Sequence, residues 1–231
     1  MNDRQRPAVE SPVVVEAGVV RLEGHLALPA GATGIVLFAH GSGSSRHSPR
    51  NQFVAERLRS AGLGTLLIDL LTGAEEEVDL RTRHLRFDIG LLADRLVGAI
   101  DWLAAAAPTA GLSVGLFGAS TGGGAALAAA ARQPGKVAAV VSRGGRPDLA
   151  GEALAAVHCP TLLVVGGNDD VVIELNRNSL ERLGAPVKAL VIVPGAGHLF
   201  EERGKVEEVA RLAADWFARH LGAAASATYA P

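Results

Sequence analysis

Short and almost uninterrupted apolar runs alternate with longer segments of mixed polarity from about residue 34 onward. The runs are rich in Val, Leu and Ile, which is typical of strands that helices cover on both faces. Between the runs, apolar residues recur at a spacing close to 3.6, as they do in amphipathic helices. The alternation predicts an α/β fold with a mostly parallel, doubly wound sheet. The predicted strands are Gly34–Ala39, Gly64–Asp69, Ser113–Gly118, Val137–Val141, Thr161–Gly166 and Val187–Val193.

The beginning of the chain has a different pattern. Two β-like arms lie at Val13–Glu16 and Val19–Leu28, and apolar and polar residues alternate along the second arm. This alternation predicts an antiparallel hairpin with one face in solvent. We expect a single domain over residues 13–221, preceded by a flexible leader at residues 1–12. The small and polar segment 222–231 is expected to be a flexible tail.

Composition excludes several classes of function. The 231 residues are 48% hydrophobic and 20% charged, so the chain can bury a large core. A net charge of −2 gives no indication of a nucleic-acid partner or an anionic membrane. No apolar run approaches the roughly 18 residues of a membrane span, and the start lacks an apolar signal core, so we expect a soluble, cytoplasmic protein. The single cysteine, Cys159, excludes an internal disulfide and a Cys-rich metal site, and we expect neither a metal nor a cofactor.

The strongest chemical signal is Gly118-Ala119-Ser120-Thr121-Gly122. The five residues lie between a predicted buried strand and a small-residue helix, where a tight turn can expose a serine hydroxyl above the end of a sheet. In a chain with 28 glycines the motif alone is weak, and an N-capping serine is the ordinary alternative. The position of the turn favours a nucleophile.

The first parallel strand leads into His40-Gly41-Ser42-Gly43-Ser44-Ser45. This loop does not fit a dinucleotide fingerprint, because Arg46 stands where the third glycine belongs, and the segment from Gly118 lacks the lysine of a phosphate loop. A glycine-containing loop at this place can offer a backbone N–H to an oxyanion. We predict the N–H groups of Ser42 and Thr121 as the two donors, with His40 packed beneath the loop.

Two further strand ends supply an acid and a base. Asp169 and Asp170 follow the strand that ends at Gly166; we favour Asp169 as the acid and Asp170 as a helix cap or reserve candidate. His198 follows the last predicted strand on a glycine-flanked turn, unlike the other six histidines. The order Ser120, Asp169, His198 is that of a serine-hydrolase triad.

On these motifs, the span from about Val13 to Leu221 resembles an α/β-hydrolase of the dienelactone-hydrolase-like branch. The resemblance implies that Ser120 is the nucleophile, His198 the base and Asp169 the acid. Dienelactone hydrolases proper carry a cysteine nucleophile, so the serine here favours hydrolysis of small carboxylic esters over lactone opening. Residues 142–160, where many hydrolases of this fold insert a lid, have room for only one short helix.

Two questions stay open at the level of sequence. A thioesterase, an amidase, an acyltransferase or a non-catalytic binding module could share these residues. Cationic side chains in the loops could either attract an acidic ester or merely offset nearby carboxylates on a solvated rim. They are Arg46, His47, Arg50, Arg81, Arg83, His84, Arg86, Arg143 and Arg146.

Overall fold

An eight-stranded sheet forms the centre of the structure, a computed structural model that describes residues 9–222. The strand order is β1-β2-β4-β3-β5-β6-β7-β8. The first two strands form an antiparallel hairpin that joins β4, and the six strands from β4 to β8 in that order run parallel. The strands are β1 (Glu10–Ala17), β2 (Val20–Ala27), β3 (Gly34–Ala39), β4 (Gly64–Ile68), β5 (Ser113–Ala119), β6 (Val137–Arg143), β7 (Thr161–Gly166) and β8 (Lys188–Val193).

Helices cover both faces of this sheet. On one face α3 and α4 pack against residues such as Ile35 and Leu37, and on the other α1 and α6 pack against Val36 and Phe38. Successive residues of β3 therefore enter opposite halves of the core, which explains why the strand is apolar throughout. The helices are α1 (Pro49–Ser60), α2 (Gly73–Thr82), α3 (Ile89–Ala105), α4 (Thr121–Arg132), α5 (Asp170–Arg182) and α6 (Lys205–Leu221), with 3₁₀ segments at Leu85–Phe87 and Pro147–Ala156.

The predicted architecture is confirmed, with small shifts at the ends of elements. The hairpin begins at Glu10 rather than Val13, because Glu10–Pro12 pair with His25–Ala27. The segment between β6 and β7 holds one 3₁₀ stretch, and no large lid is present within residues 9–222. No helix in this range is both long and apolar enough to cross a membrane. Most of the expected leader and tail, at residues 1–8 and 223–231, lies outside the described residues.

The parallel strands determine where chemistry can occur. The carboxyl ends of β3, β5, β6, β7 and β8 lie at one edge of the sheet, and the loops that follow them meet there. The four sequence segments singled out above all follow one of these strands, so the topology brings residues far apart in sequence to one place.

Candidate active site

Ser120 lies on a strained turn between β5 and α4. Its φ of 51° and ψ of −122° are unusual for a residue with a side chain. Two backbone hydrogen bonds maintain the turn: the Ser120 N–H donates to the Arg143 carbonyl at 3.2 Å, and the Arg146 N–H donates to the Ser120 carbonyl at 3.0 Å. The strain is therefore offset by the end of β6 and the loop that follows it, and the turn leaves the hydroxyl at the sheet edge.

The glycines of the turn are required by close backbone approach. A Cβ on Gly118 would lie 2.5 Å from the Gly122 carbonyl oxygen, and a Cβ on Gly122 would lie 2.2 Å from the Ala39 carbonyl oxygen. Both distances are far below van der Waals contact. The turn can thus pack against β3 only because these two positions lack side chains.

The side chains of Ser120, His198 and Asp169 form a continuous chain of hydrogen bonds. His198 Nε2 is 3.3 Å from Ser120 Oγ, and His198 Nδ1 is 2.6 Å from Asp169 Oδ2. Nδ1 therefore carries the proton that is donated to the carboxylate, and Nε2 is left to accept a proton from the serine. Asp170 begins α5 instead and is not the carboxylate that contacts His198.

The loops that carry Asp169 and His198 are joined by their backbones. The Asn168 N–H donates to the Ala196 carbonyl at 2.9 Å, and a Cβ on Gly166 would lie 2.4 Å from the same oxygen. The Gly197 N–H donates to Glu202 Oε1 at 3.0 Å. These contacts hold the acid and the base in a fixed relation, although the His198 side chain itself is 38% exposed.

The loop after β3 lies directly against the serine. A Cβ on Gly41 would be 3.0 Å from Ser120 Cβ. The next N–H along the loop, that of Ser42, donates to Thr121 Oγ1 at 2.9 Å. His40 lies below the loop, as predicted, and its Nε2 accepts a hydrogen bond from the Leu70 N–H at 3.1 Å. Burial lowers the pKa of His40, so the ring is neutral near pH 7.

A cleft of about 230 Å³ opens beside the serine and the histidine. The N-terminus of α1 and the end of β6 contribute to its lining. Its lining residues are Gly41, Ser42, Ser44, Ser48, Arg50, Ala119, Ser120, Arg143, His198 and Leu199. Among the described residues, no group of three or more His, Cys, Asp or Glu side chains is arranged to hold a metal ion.

Four of the nine loop cations have carboxylate partners. Arg46 pairs with Asp69 and Glu23, and the other ion pairs are Arg50 with Glu201, Arg86 with Asp79 and Arg146 with Asp148. The interpretation of these four as rim charges that offset carboxylates therefore fits the structure.

Arg143 differs from the other loop cations because it is buried. It is 6% exposed, and within residues 9–222 no carboxylate lies within salt-bridge distance of it. Its guanidinium lies 5.9 Å from the centre of the Phe200 ring, and Nη2 donates a long 3.4 Å hydrogen bond to Asn51 Oδ1. Its Nε is buried without a partner in the described part of the chain. Burial, aided by the charge of Arg50, lowers the pKa of Arg143 to about 10. The sequence ranked Arg143 with the other loop cations, because residue type carries no information on burial.

Comparison with known proteins identifies the family and the fold. The sequence profile of the dienelactone hydrolase family matches residues 22–223. A dienelactone hydrolase from Anabaena variabilis is 63% identical, with a TM-score of 0.91 over 94% of this chain and 100% of that chain. Est1E from Butyrivibrio proteoclasticus shares the fold at 14% identity, with a TM-score of 0.75 over 90% of this chain and 98% of that chain.

A Mycobacterium tuberculosis protein with the provisional name of a phosphoribosyl transferase is also similar. It is 57% identical over 215 residues, which are 93% of this chain but 47% of that protein. The chain thus spans about half the length of this curated relative.

Proposed function

The chain belongs to the dienelactone hydrolase family, and from this premise we propose that it is a serine hydrolase that cleaves carboxylic esters through an acyl-enzyme. The proposal rests on the chain of hydrogen bonds that links Ser120 to His198 and His198 to Asp169. A hydroxyl, an imidazole and a carboxylate in this order are the groups that acyl transfer requires. Relatives with the same fold include esterases, which supports a hydrolase.

In the proposed mechanism, His198 Nε2 removes the proton of Ser120 as its Oγ attacks the ester carbonyl. Asp169 keeps the proton of the neutral imidazole on Nδ1 and stabilises the imidazolium that forms. The alkoxide leaves with the proton from Nε2, and a water activated by the same nitrogen then hydrolyses the acyl-serine. The backbone N–H of Thr121, in the first turn of α4, has no intrahelical acceptor and is available to the oxyanion.

Serine as the nucleophile favours ordinary esters. An alkoxide generated by a neutral imidazole is suited to ester carbonyls, and dienelactone hydrolases proper use cysteine at this position. We therefore propose acyclic esters of small acids, in keeping with a cleft of about 230 Å³ that has no large cover within the described residues.

Arg143 bears on the charge of the substrate. A buried cation without a carboxylate partner is costly to maintain, and such groups persist where a ligand supplies the missing charge. Arg50 and the positive end of α1 line the same cleft. We propose that the preferred ester carries an anionic group on this side of Ser120.

Turnover of a carboxylated and a neutral aryl ester of matched size tests the proposal. Ser120→Ala is expected to lower kcat by as much as about 10⁶-fold on both esters. Ser142→Ala is the matched control, because it removes a buried hydroxyl without a partner among the described residues, on the strand next to the turn. Ser120→Ala protein that is folded and retains turnover within tenfold of the parent would contradict the proposal.

The same turnover assay, run with other substrates, separates ester hydrolysis from the alternative reactions. A thioesterase, amidase or alcohol acyltransferase would use the same three residues, and added thioester, amide or acceptor alcohol would then give the faster reaction. The transferase name of the M. tuberculosis relative describes a protein of which this chain spans 47%, and the chemistry proposed here is that of the serine site.

A further inference from the structure

The peptide group between Gly41 and Ser42 is held at both ends. Its N–H donates to Thr121 Oγ1 at 2.9 Å. Its carbonyl oxygen, on Gly41, accepts from the Ser44 N–H at 3.1 Å and lies 3.0 Å from His40 Nδ1. Because a trans peptide is planar, with its N–H and C=O on opposite sides, fixing the oxygen also fixes the direction of the N–H.

The protonation of His40 follows from its contacts. Its Nε2 accepts from the Leu70 N–H at 3.1 Å, so that nitrogen bears no proton. The proton is on Nδ1 and is donated to the Gly41 carbonyl. His40 thus connects the end of β4 to the peptide plane, and the Ser42 N–H is directed at the Thr121 hydroxyl by a rigid arrangement.

This hydrogen bond changes what each group can offer to a substrate. The Ser42 N–H has one proton, and that proton is already directed at Thr121 Oγ1. The Thr121 hydroxyl accepts this bond, and within residues 9–222 its own proton has no hydrogen-bond acceptor. Thr121 immediately follows Ser120 at the start of α4, and the loop that carries Ser42 comes so close to the nucleophile that a Cβ on Gly41 would lie 3.0 Å from Ser120 Cβ.

We propose that Thr121 is a catalytic residue whose hydroxyl donates a hydrogen bond to the oxyanion. The Ser42 N–H, which donates to the same hydroxyl, polarises it. The inference rests on the proposed serine mechanism. The oxyanion then receives the backbone N–H and the hydroxyl of Thr121, and Ser42 acts one bond away. Hydrogen bonds in such a series strengthen one another, and no proton is transferred along it.

Two substitutions at one position test the inference. Thr121→Val keeps the shape and the backbone N–H but removes the hydroxyl, whereas Thr121→Ser keeps the hydroxyl. We expect Thr121→Val to lower kcat by about 10²-fold with little change in KM, because the lost contact forms only in the transition state. Thr121→Ser should retain kcat within about threefold. Thr109→Val, which removes a buried hydroxyl that bonds the Leu103 carbonyl, is the control and should leave kcat unchanged.

The outcomes distinguish this inference from the mechanism on which it rests. Unchanged or faster turnover by Thr121→Val would mean that the freed Ser42 N–H binds the oxyanion directly, and would overturn the inference. An equal loss in Thr121→Ser and Thr121→Val would overturn it as well, since the hydroxyl would then not matter. Thermal unfolding of each variant separates loss of turnover from loss of fold. An active Ser120→Ala variant would instead contradict the serine mechanism itself.

Discussion

Replacing Arg143 with methionine should make the protein more stable and less active on anionic esters. Burial lowers the pKa of Arg143 from the ordinary value of a guanidinium, by more than two units, to about 10. At about 1.36 kcal/mol for each pKa unit, holding this charge in the fold costs on the order of 3 kcal/mol. The cost is fully present at pH 7, where the side chain is charged in both states, and it declines only as the pH rises past about 10.

Methionine would keep the apolar contact with Phe200 and lose the cation–π interaction, which is worth about 0.5–2 kcal/mol. The expected net gain in free energy of unfolding is roughly 1–2 kcal/mol. At about 2–4 °C for each kcal/mol in a chain of this size, Tm should rise by several degrees.

The effect on activity has the opposite sign. A hydrogen bond from a charged group to an anionic substrate is worth about 1.5–3 kcal/mol. Its loss should lower kcat/KM for a carboxylated ester by roughly 10- to 140-fold, at about 1.4 kcal/mol for each factor of ten. A neutral ester of the same size should be hydrolysed within about threefold of the parent rate.

Urea unfolding and kinetics on the matched pair of esters measure both effects. Arg177→Met, which removes the same charge from an exposed pair with Glu174, is the control and should change neither quantity appreciably. Equal losses on the neutral and the carboxylated ester would refute recognition of an anion by Arg143. A large loss of stability would refute the argument that its buried charge is costly.

Two further predictions concern the turn and the loop beside it. Gly122→Ala should lower the free energy of unfolding by about 3 kcal/mol or more, because its Cβ would lie 2.2 Å from the Ala39 carbonyl oxygen. In the same urea titration Gly73→Ala, where the space is open, should stay within about 0.5 kcal/mol of the parent. Burial lowers the pKa of His40 in the folded protein, so on acidification below about pH 6.5 the unfolded chain takes up this proton first, and stability should fall by at most about 1.4 kcal/mol for each pH unit. His40→Asn should have a shallower pH dependence of stability between pH 7 and pH 5, and an unchanged slope would contradict the assignment.

Patterns in the sequence were enough to predict the sheet and the local turn. Apolar runs specify buried strands because helices cover both faces, and the hairpin was missed only at Glu10–Pro12, where polar residues leave no alternation to follow. Asp169 and Asp170 were harder to tell apart, because both are aspartates at the start of α5 and only the direction of each side chain decides which one reaches His198.

Tertiary placement explains what the sequence could not give. Arg143 looks like the other loop arginines until the packing of α1 and Phe200 buries it. The hydrogen bond from the Ser42 N–H to Thr121 Oγ1 joins residues 79 positions apart and depends on a side-chain direction. The roles of Ser120, Asp169 and His198 stay predictions until activity is measured.

Mass mapping after reaction with a fluorophosphonate tests the central claim most directly. The reagent phosphonylates a serine only where a base activates it, and Ser120 is the serine that lies 3.3 Å from His198 Nε2. We expect one adduct per chain, on the peptide that contains Ser120, and none in the folded Ser120→Ala variant. A parent protein that is folded and stays unlabelled, or an adduct that persists in Ser120→Ala, would contradict the account.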